Sequence, residues 1–244
     1  MNSTRYSRYV LLSTLIFTLV LLTSSNAFAR GVGIVDPYRS DIHASFGGYH
    51  SSGNFEQAES ASGADTKFEQ QFAGIRIEKS IIPQFQLYLL AGQSRNTFSD
   101  SDVDAGSALG GGFQITFENK QDAYVMLEGS YLSHSKENFT GSTTRDYQMT
   151  SDYQAGILLG KRVNEDLAFR EEDLTYHAYW GVQYSPREIE VTDGTGTKTY
   201  EPSKYEGLSG FLGFKLDYTK NVSFSLEAEG GSVLSGNGRM IYRF

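Results

Sequence analysis

The sequence has no cysteine, only four prolines and one tryptophan, and no basic surplus. Without cysteine there is no disulfide framework, no thiolate metal site and no lipid-modified N-terminal Cys. Beyond the N-terminal stretch, no apolar run is long enough for a spanning helix, which needs about 20 residues. The charge balance is acidic, which does not suit nucleic acid and excludes it as a partner.

The apolar run at the start, Val10 to Leu22, follows Arg5 and Arg8 and precedes Ala27-Phe28-Ala29. A basic n-region, a short apolar h-region and a small-x-small site predict a secretory signal peptide over residues 1–29, cleaved after Ala29. The remaining chain, 30–244, is expected to form one domain. It carries 19 basic against 29 acidic residues, a net charge of −10.

What is abundant is glycine, tyrosine and phenylalanine, at 26, 16 and 16 residues. A polar chain rich in these fits a soluble all-β domain or a membrane barrel, and the alternation of side chains separates the two. Leu109, Phe113, Ile115 and Phe117 share one strand face against Gly110, Gly112, Gln114 and Thr116. Tyr176, Ala178, Trp180, Val182 and Tyr184 oppose Thr175, His177, Tyr179, Gly181 and Gln183. Segments 208–218 and 222–230 alternate in the same way. Such strands run to about ten residues, the length a tilted strand needs to cross a bilayer, whereas strands of soluble domains average about 5–6. Aromatics at the ends of apolar faces (Phe117, Tyr176, Tyr184, Tyr218) fit interfacial girdles.

Ten strands follow: 41–50, 67–79, 84–93, 106–118, 123–134, 146–161, 174–185, 204–218, 222–231 and 238–244. Eight is the alternative if a terminal hairpin is misread. Short turns at 80–83, 119–122 and 219–221 alternate with longer polar connections at 51–66, 94–105, 135–145 and 186–203; 162–173 is long on the short side. The expected fold is all-β, a single antiparallel up-and-down transmembrane β-barrel.

The chain stops on Gly238-Arg239-Met240-Ile241-Tyr242-Arg243-Phe244. Signal peptide, absent cysteine, alternating strands and terminal Met240-x-Tyr242-x-Phe244 together resemble a Gram-negative outer-membrane β-barrel protein, porin-like in build. The resemblance covers the whole exported chain. It implies a bacterial outer-membrane location, lipid and lipopolysaccharide as surroundings, and Met240, Tyr242 and Phe244 as the signal read by the barrel-assembly machinery. A host or phage ligand at the long loops is a further implied partner.

Parity sends Arg76, Glu78, Glu128, Lys215, Asp217, Glu227, Glu229 and Arg243 into the lumen with Tyr88, Tyr124 and Tyr179. Charges confined there need partners. Two readings stand: a buttressing ion-pair network in a filled lumen, giving a structural or surface-interaction protein, or a narrow low-conductance porin or transporter lined by Glu227 and Glu229. Hydrolysis is the distant third, since some barrels of this kind are enzymes. Ser133-His134-Ser135-Lys136-Glu137 has the residue types of a lipid-active hydrolase but not the His-x-Ser or Asn-His-Ser order. Ten strands also resemble omptin proteases, yet no adjacent acidic pair accompanies an outer-rim His. No catalytic residue is therefore assigned. Counted from Asp100, the loop through Asp102 and Asp104 lacks Gly at position six and Glu at position twelve, so it is no EF-hand. Gly110-Gly111-Gly112 lies inside a strand and is no nucleotide loop. No cofactor or metal is expected.

Overall fold

A computed structural model describes residues 42–57, 66–99, 101–118, 122–165, 174–202, 207–231 and 233–244. The expected signal peptide and its cleavage point lie outside these residues, as does most of the connection 162–173. Fourteen strands form one sheet: β1 (Ile42–Gln57), β2 (Thr66–Ile82), β3 (Phe85–Phe98), β4 (Ser101–Asp102), β5 (Gly106–Glu118), β6 (Ala123–His134), β7 (Glu137–Asn138), β8 (Asp146–Glu165), β9 (Leu174–Tyr184), β10 (Arg187–Asp193), β11 (Gly196–Pro202), β12 (Leu208–Asp217), β13 (Val222–Gly231) and β14 (Val233–Arg243).

Ten of them close a barrel of antiparallel neighbours in the order β1, β2, β3, β5, β6, β8, β9, β12, β13, β14. Closure is by β1 on β14, from His43↔Arg243 to Gly53↔Val233. The expected barrel of ten strands is the one observed, with two corrections to extent. The last strand begins at Val233 rather than 238, and β1, β2, β3 and β8 run to 16, 17, 14 and 20 residues.

The overlong strands have a physical reason: their polarity inverts partway along, on β1, β2 and β3 with one side-chain parity kept and on β8 through an irregularity in its pairing with β10, which skips from Ser151 to Met149. On β1, Ile42 and Phe46 point outward and are about half exposed, while His43 and Ser45 are buried inside. Past Gly53 the inward residue is Phe55, fully buried, and the outward ones are Asn54 and Glu56. On β2, Ile75 and Ile77 face out beside inward Arg76 and Glu78, whereas Phe68 faces in beside outward Lys67 and Glu69. On each of these two strands one parity holds, so the apolar residues change faces. Below the inversion the wall suits lipid outside and polar groups inside; above it the wall suits water outside and a dry core inside.

Above the inversion the connections expected as polar loops are strands too. β4 pairs with β3, β7 with β8, and a bridge between Val103 and Phe139 links β4 to β7. The hairpin β10–β11 pairs with β8 on one side and β1 on the other. At this level β5 and β6 give way to β4 and β7, and β9, β12, β13 and β14 give way to β10 and β11. The circumference falls from ten strands to eight. An eight-stranded barrel is just wide enough for side chains to fill. Phe55, Phe68, Phe98, Val103, Phe139, Tyr147, Met149, Ile189 and Val191 fill it, with Tyr200 packed against them. Rings meet edge-on, Phe55 with Phe68 at 4.9 Å and Phe98 with Tyr200 at 4.8 Å between centroids.

Within the ten-stranded part, glycine and tyrosine act as a pair. Tyr124 lies directly opposite Gly160, and Tyr179 opposite Gly213. A Cβ at either glycine would overlap the facing tyrosine ring. Each ring therefore lies flat over a neighbouring strand's bare backbone, filling lumen volume without crowding the wall. Gly213→Ala should displace Tyr179 and destabilise the barrel by about 1–3 kcal/mol. Gly230→Ala, where an added methyl meets nothing within 4 Å, should leave stability unchanged. Guanidinium unfolding in detergent, followed by Trp180 fluorescence, measures both; equal midpoints for the two variants would contradict the pairing.

Candidate functional site

The interior of the ten-stranded part is where sequence parity places the titratable side chains. Alternation on β2, β6, β12, β13 and β14 turns every second residue inward, and those positions carry charge. The eight charged residues expected in the lumen are inward and little exposed. They form separate clusters rather than one network.

The middle cluster centres on Glu128 of β6. Its Oε1 accepts a hydrogen bond from Tyr88 Oη at 2.6 Å and one from Arg76 Nη1 at 3.4 Å, and its Oε2 accepts from Gln114 Nε2 at 3.0 Å. Arg76 also donates to Glu78 at 3.1 Å and stacks over the Tyr88 ring, 3.4 Å from its centroid. One guanidinium thus serves two carboxylates and a π face, which offsets the cost of burying all three. Arg239 lies in the same layer, lining a cavity of about 20 Å³ with Arg76, Tyr88 and Glu128. That is room for about one water. Glu227 accepts from Asn237 Nδ2 at 2.7 Å and Glu229 from Ser235 Oγ at 2.5 Å, both partners on the adjacent β14.

The second cluster closes the end that carries the short turns. Asp217 Oδ1 accepts from Arg243 Nη2 at 2.6 Å and Ser223 Oγ at 2.5 Å, and Lys215 Nζ lies 3.1 Å away. His177 Nε2 is 3.5 Å from Asp217 Oδ2. Beside it, Arg162 Nη2 lies 2.9 Å from both Glu118 and Asp122.

A third cluster escaped sequence reading. His134 Nε2 lies 2.7 Å from Asp152 Oδ2, both side chains fully buried. Arg187 Nε is 3.9 Å from Asp152 Oδ1, and its Nη1 donates to Ser51 Oγ at 3.0 Å. This layer sits where β8 exchanges its pairing with β9 for pairing with β10. Parity would have found Arg239, which shares a face with Ile241 and Arg243. Asp152 and Arg187 gave no such signal, because one lies beside a register irregularity at Glu188/Ile189 and the other opens a strand expected to be loop.

The candidate chemistry weighed on sequence resolves geometrically. Ser135 Oγ donates to Glu137 at 2.8 Å and accepts from the Ser107 backbone N–H, while His134 bonds Asp152 in the interior. The hydroxyl is bonded to buried Glu137 and the imidazole to Asp152, so the two do not form a nucleophile–base pair. Among the described residues of the acidic loop, Asp102 pairs with Arg95 at 3.4 Å and accepts from Thr97, and Asp104 accepts from Thr140. No group of three or more His, Asp or Glu among the described residues is arranged to hold a metal.

Outside, the wall carries a belt of exposed Ile42, Phe46, Ile75, Ile77, Leu87, Leu89, Leu109, Leu127, Ile157, Leu159, Val182 and Leu212. Tyr131, Tyr153 and Tyr184 rim its upper edge, and Phe117, Tyr218, Tyr242 and Phe244 its lower edge. Met240, Tyr242 and Phe244 all face outward, 48%, 45% and 71% exposed. Such a belt, closed on itself with no free sheet edge, is what a bilayer requires of a spanning sheet.

Replacing Asp217 by Asn removes the carboxylate that holds Lys215 and Arg243 while keeping its shape. The expected loss is about 3–5 kcal/mol, the usual result of leaving buried charge without a partner, read as a lowered guanidinium midpoint. A midpoint equal to wild type would show that the cluster is held by its neutral hydrogen bonds.

No protein-family model matches the chain, and no curated protein matches it. Solved structures do. The translocator domain of the autotransporter NalP from Neisseria meningitidis is 13% identical, with 98% of each chain covered and a TM-score of 0.44. The outer-membrane protease OmpT from Escherichia coli is 9% identical over 88% of this chain and 99% of its own, TM-score 0.44. The transport unit of the autotransporter AIDA-I from Escherichia coli is 11% identical over 87% and 93%, TM-score 0.45. All three likenesses are loose. On its own belt, girdles, polar lumen and edge-free closure, this chain is a transmembrane β-barrel of the outer-membrane type.

Proposed function

We propose that the protein is a closed barrel of the bacterial outer membrane that acts through its wall and its external ring rather than by passing solutes. The observation that carries this reading is the dry cluster in the eight-stranded ring, which fills the external end with Phe, Tyr, Met, Ile and Val side chains. Below it stand the buried His134–Asp152–Arg187 layer, the Glu128–Arg76–Tyr88 cluster and the Asp217–Arg243–Lys215 floor. A solute would have to displace all four. The low-conductance pore lined by Glu227 and Glu229 is the alternative, and it requires those carboxylates to face a continuous water path.

Lipid and lipopolysaccharide are the partners of the exposed belt. The assembly machinery is the partner of outward Met240, Tyr242 and Phe244, and the external ring is the surface left for a host or phage ligand. The role is thus structural or adhesive, exercised from outside the lumen.

Planar-bilayer recording tests the closed reading. The reconstituted wild type should show no resting conductance, and Glu227→Gln with Glu229→Gln should leave the trace silent. A steady current altered by those substitutions would establish the pore instead. Deleting Phe244 should impair membrane assembly far more than deleting Gly194-Thr195-Gly196 from the hairpin tip, scored as the fraction of folded, heat-modifiable protein in the outer-membrane fraction. Equal effects would remove the terminal strand from its assigned role.

A further inference from the structure

Glu137, the first residue of β7, is a buried carboxylate that none of the three clusters uses. Along the chain it stands between His134 of the buried layer and Phe139 of the dry core. Among the described residues no lysine, arginine or histidine forms an ion pair with it. Its partners are neutral: Oε1 accepts from Ser135 Oγ at 2.8 Å, and the Asn96 side chain also approaches the carboxyl. Its Oε2 is buried without a hydrogen bond. Burial pushes the carboxyl above the usual carboxylate range, and Ser135, His134 and Asn96 offset only part of that.

The backbone makes room for this group. Ser94 of β3 stands directly opposite Gly106 of β5, and a Cβ on Gly106 would overlap the Glu137 carboxyl. The carboxyl thus lies over bare backbone beside β3, where Ser94 and Asn96 are buried. Ser94 Oγ and Asn96 Oδ1 have no hydrogen-bond partner. On the other flank Tyr147 of β8 pairs directly with Glu137, and its Oη is buried without a partner as well. Burial and then the Glu137 charge push that hydroxyl well up, so hydroxyl and carboxyl share one layer. Four oxygens from three strands are left unmet around a single negative charge.

Water would satisfy the hydroxyls and the amide but leave the buried charge uncompensated, whereas a cation meets both needs. Every donor is an oxygen, which selects hard cations over those that seek thiolate or imidazole. Calcium accepts irregular sets of protein oxygens, while magnesium keeps most of its waters. We propose that Glu137, Asn96, Ser94 and Tyr147 form a calcium site in the external ring, tying β7 to β3 and β8. One carboxylate with neutral oxygens is a different donor set from the groups of three acidic or imidazole side chains that the described residues lack. A single carboxylate makes the site weak, with a Kd of about 10⁻⁴–10⁻³ M, the range of extracellular calcium modules. The site lies outside the lumen clusters, so the inference is independent of the conductance result.

Urea unfolding in detergent, followed by Trp180 fluorescence in calcium or in chelator, tests it. At about 10 mM calcium, some ten times the upper end of that range, the wild-type midpoint should rise above its value in chelator. Magnesium at the same concentration should not raise it. Glu137→Gln keeps the shape and removes the charge; it should abolish the rise, and in chelator its midpoint should equal or exceed that of wild type. Gly106→Ala keeps every donor and should abolish the rise by displacing the carboxyl. Terbium bound in place of calcium should give tyrosine-sensitised emission that calcium displaces. That emission should be lost in Glu137→Gln and persist in Asp102→Asn, whose carboxylate lies on the exposed loop. A wild type with no rise and no displaceable emission overturns the site. An equal rise in wild type and Glu137→Gln places the calcium elsewhere and also overturns it. If either variant does not fold, Asn96→Leu, which removes an oxygen donor and keeps the volume, takes its place.

Discussion

A bilayer core offers no hydrogen-bond partner to a backbone N–H or C=O, and an open sheet edge inside it leaves a row of such groups unsatisfied. The ten-stranded closure answers that demand, and most other features of the chain are consequences. Closing β1 on β14 fixes which residues face lipid and which face the lumen. The outward set must then be apolar, and the inward set must fill a space too narrow to be bulk water. Lumen charges arise from that geometry: once enclosed, a carboxylate such as Glu128 persists only where Tyr88, Gln114 and Arg76 can all reach it.

Water imposes the opposite demand above the membrane. There the sheet must be polar outside and is free to be dry inside. The chain meets both demands with the same strands. β1, β2 and β3 each hold one side-chain parity from end to end, and the apolar residues cross from the outer face to the inner one. Reducing the circumference from ten strands to eight is coupled to that crossing. An eight-stranded ring has an interior that aromatic side chains alone can fill, whereas the wider section below needs tyrosines laid over glycines and paired charges as well.

How far the sequence discloses this follows from the same two demands. Where lipid is the outer solvent, alternation reads directly, and the strands 106–118, 123–134 and 222–231 are legible to the residue. The inward placement of Arg76, Glu78, Lys215 and Arg243 is legible for the same reason. Legibility fails where polarity inverts. On β1 the apolar residues shift from even positions (Ile42, Phe46) to odd ones (Tyr49, Phe55), and Gly47-Gly48 covers the change. On β3 the outward positions become Gln93, which ends the expected strand, and Arg95, which falls in the expected loop, while Phe98 is the apolar clue to an interior. β4 and β7 are two residues each, below what any periodicity can register. Asp152 and Arg187 are inaccessible to parity because their meeting depends on which strand β8 exchanges for which.

The junction between the two sections is where the demands conflict, and its composition reflects that. A layer bounded by lipid-facing wall below and a dry core above has neither bulk water nor a neighbouring strand for every polar group. Asp152, His134, Arg187 and Ser51 partner one another there by hydrogen bond or charge, each from a different strand: β8, β6, β10 and β1. Such a cluster contributes little to stability compared with an apolar replacement of the same volume, but it fixes which strands meet. Apolar side chains in the ring above would pack in several registers, whereas an arginine that must reach Asp152 and Ser51 together admits one. The buried polar layer therefore specifies how the eight-stranded ring sits on the ten-stranded barrel.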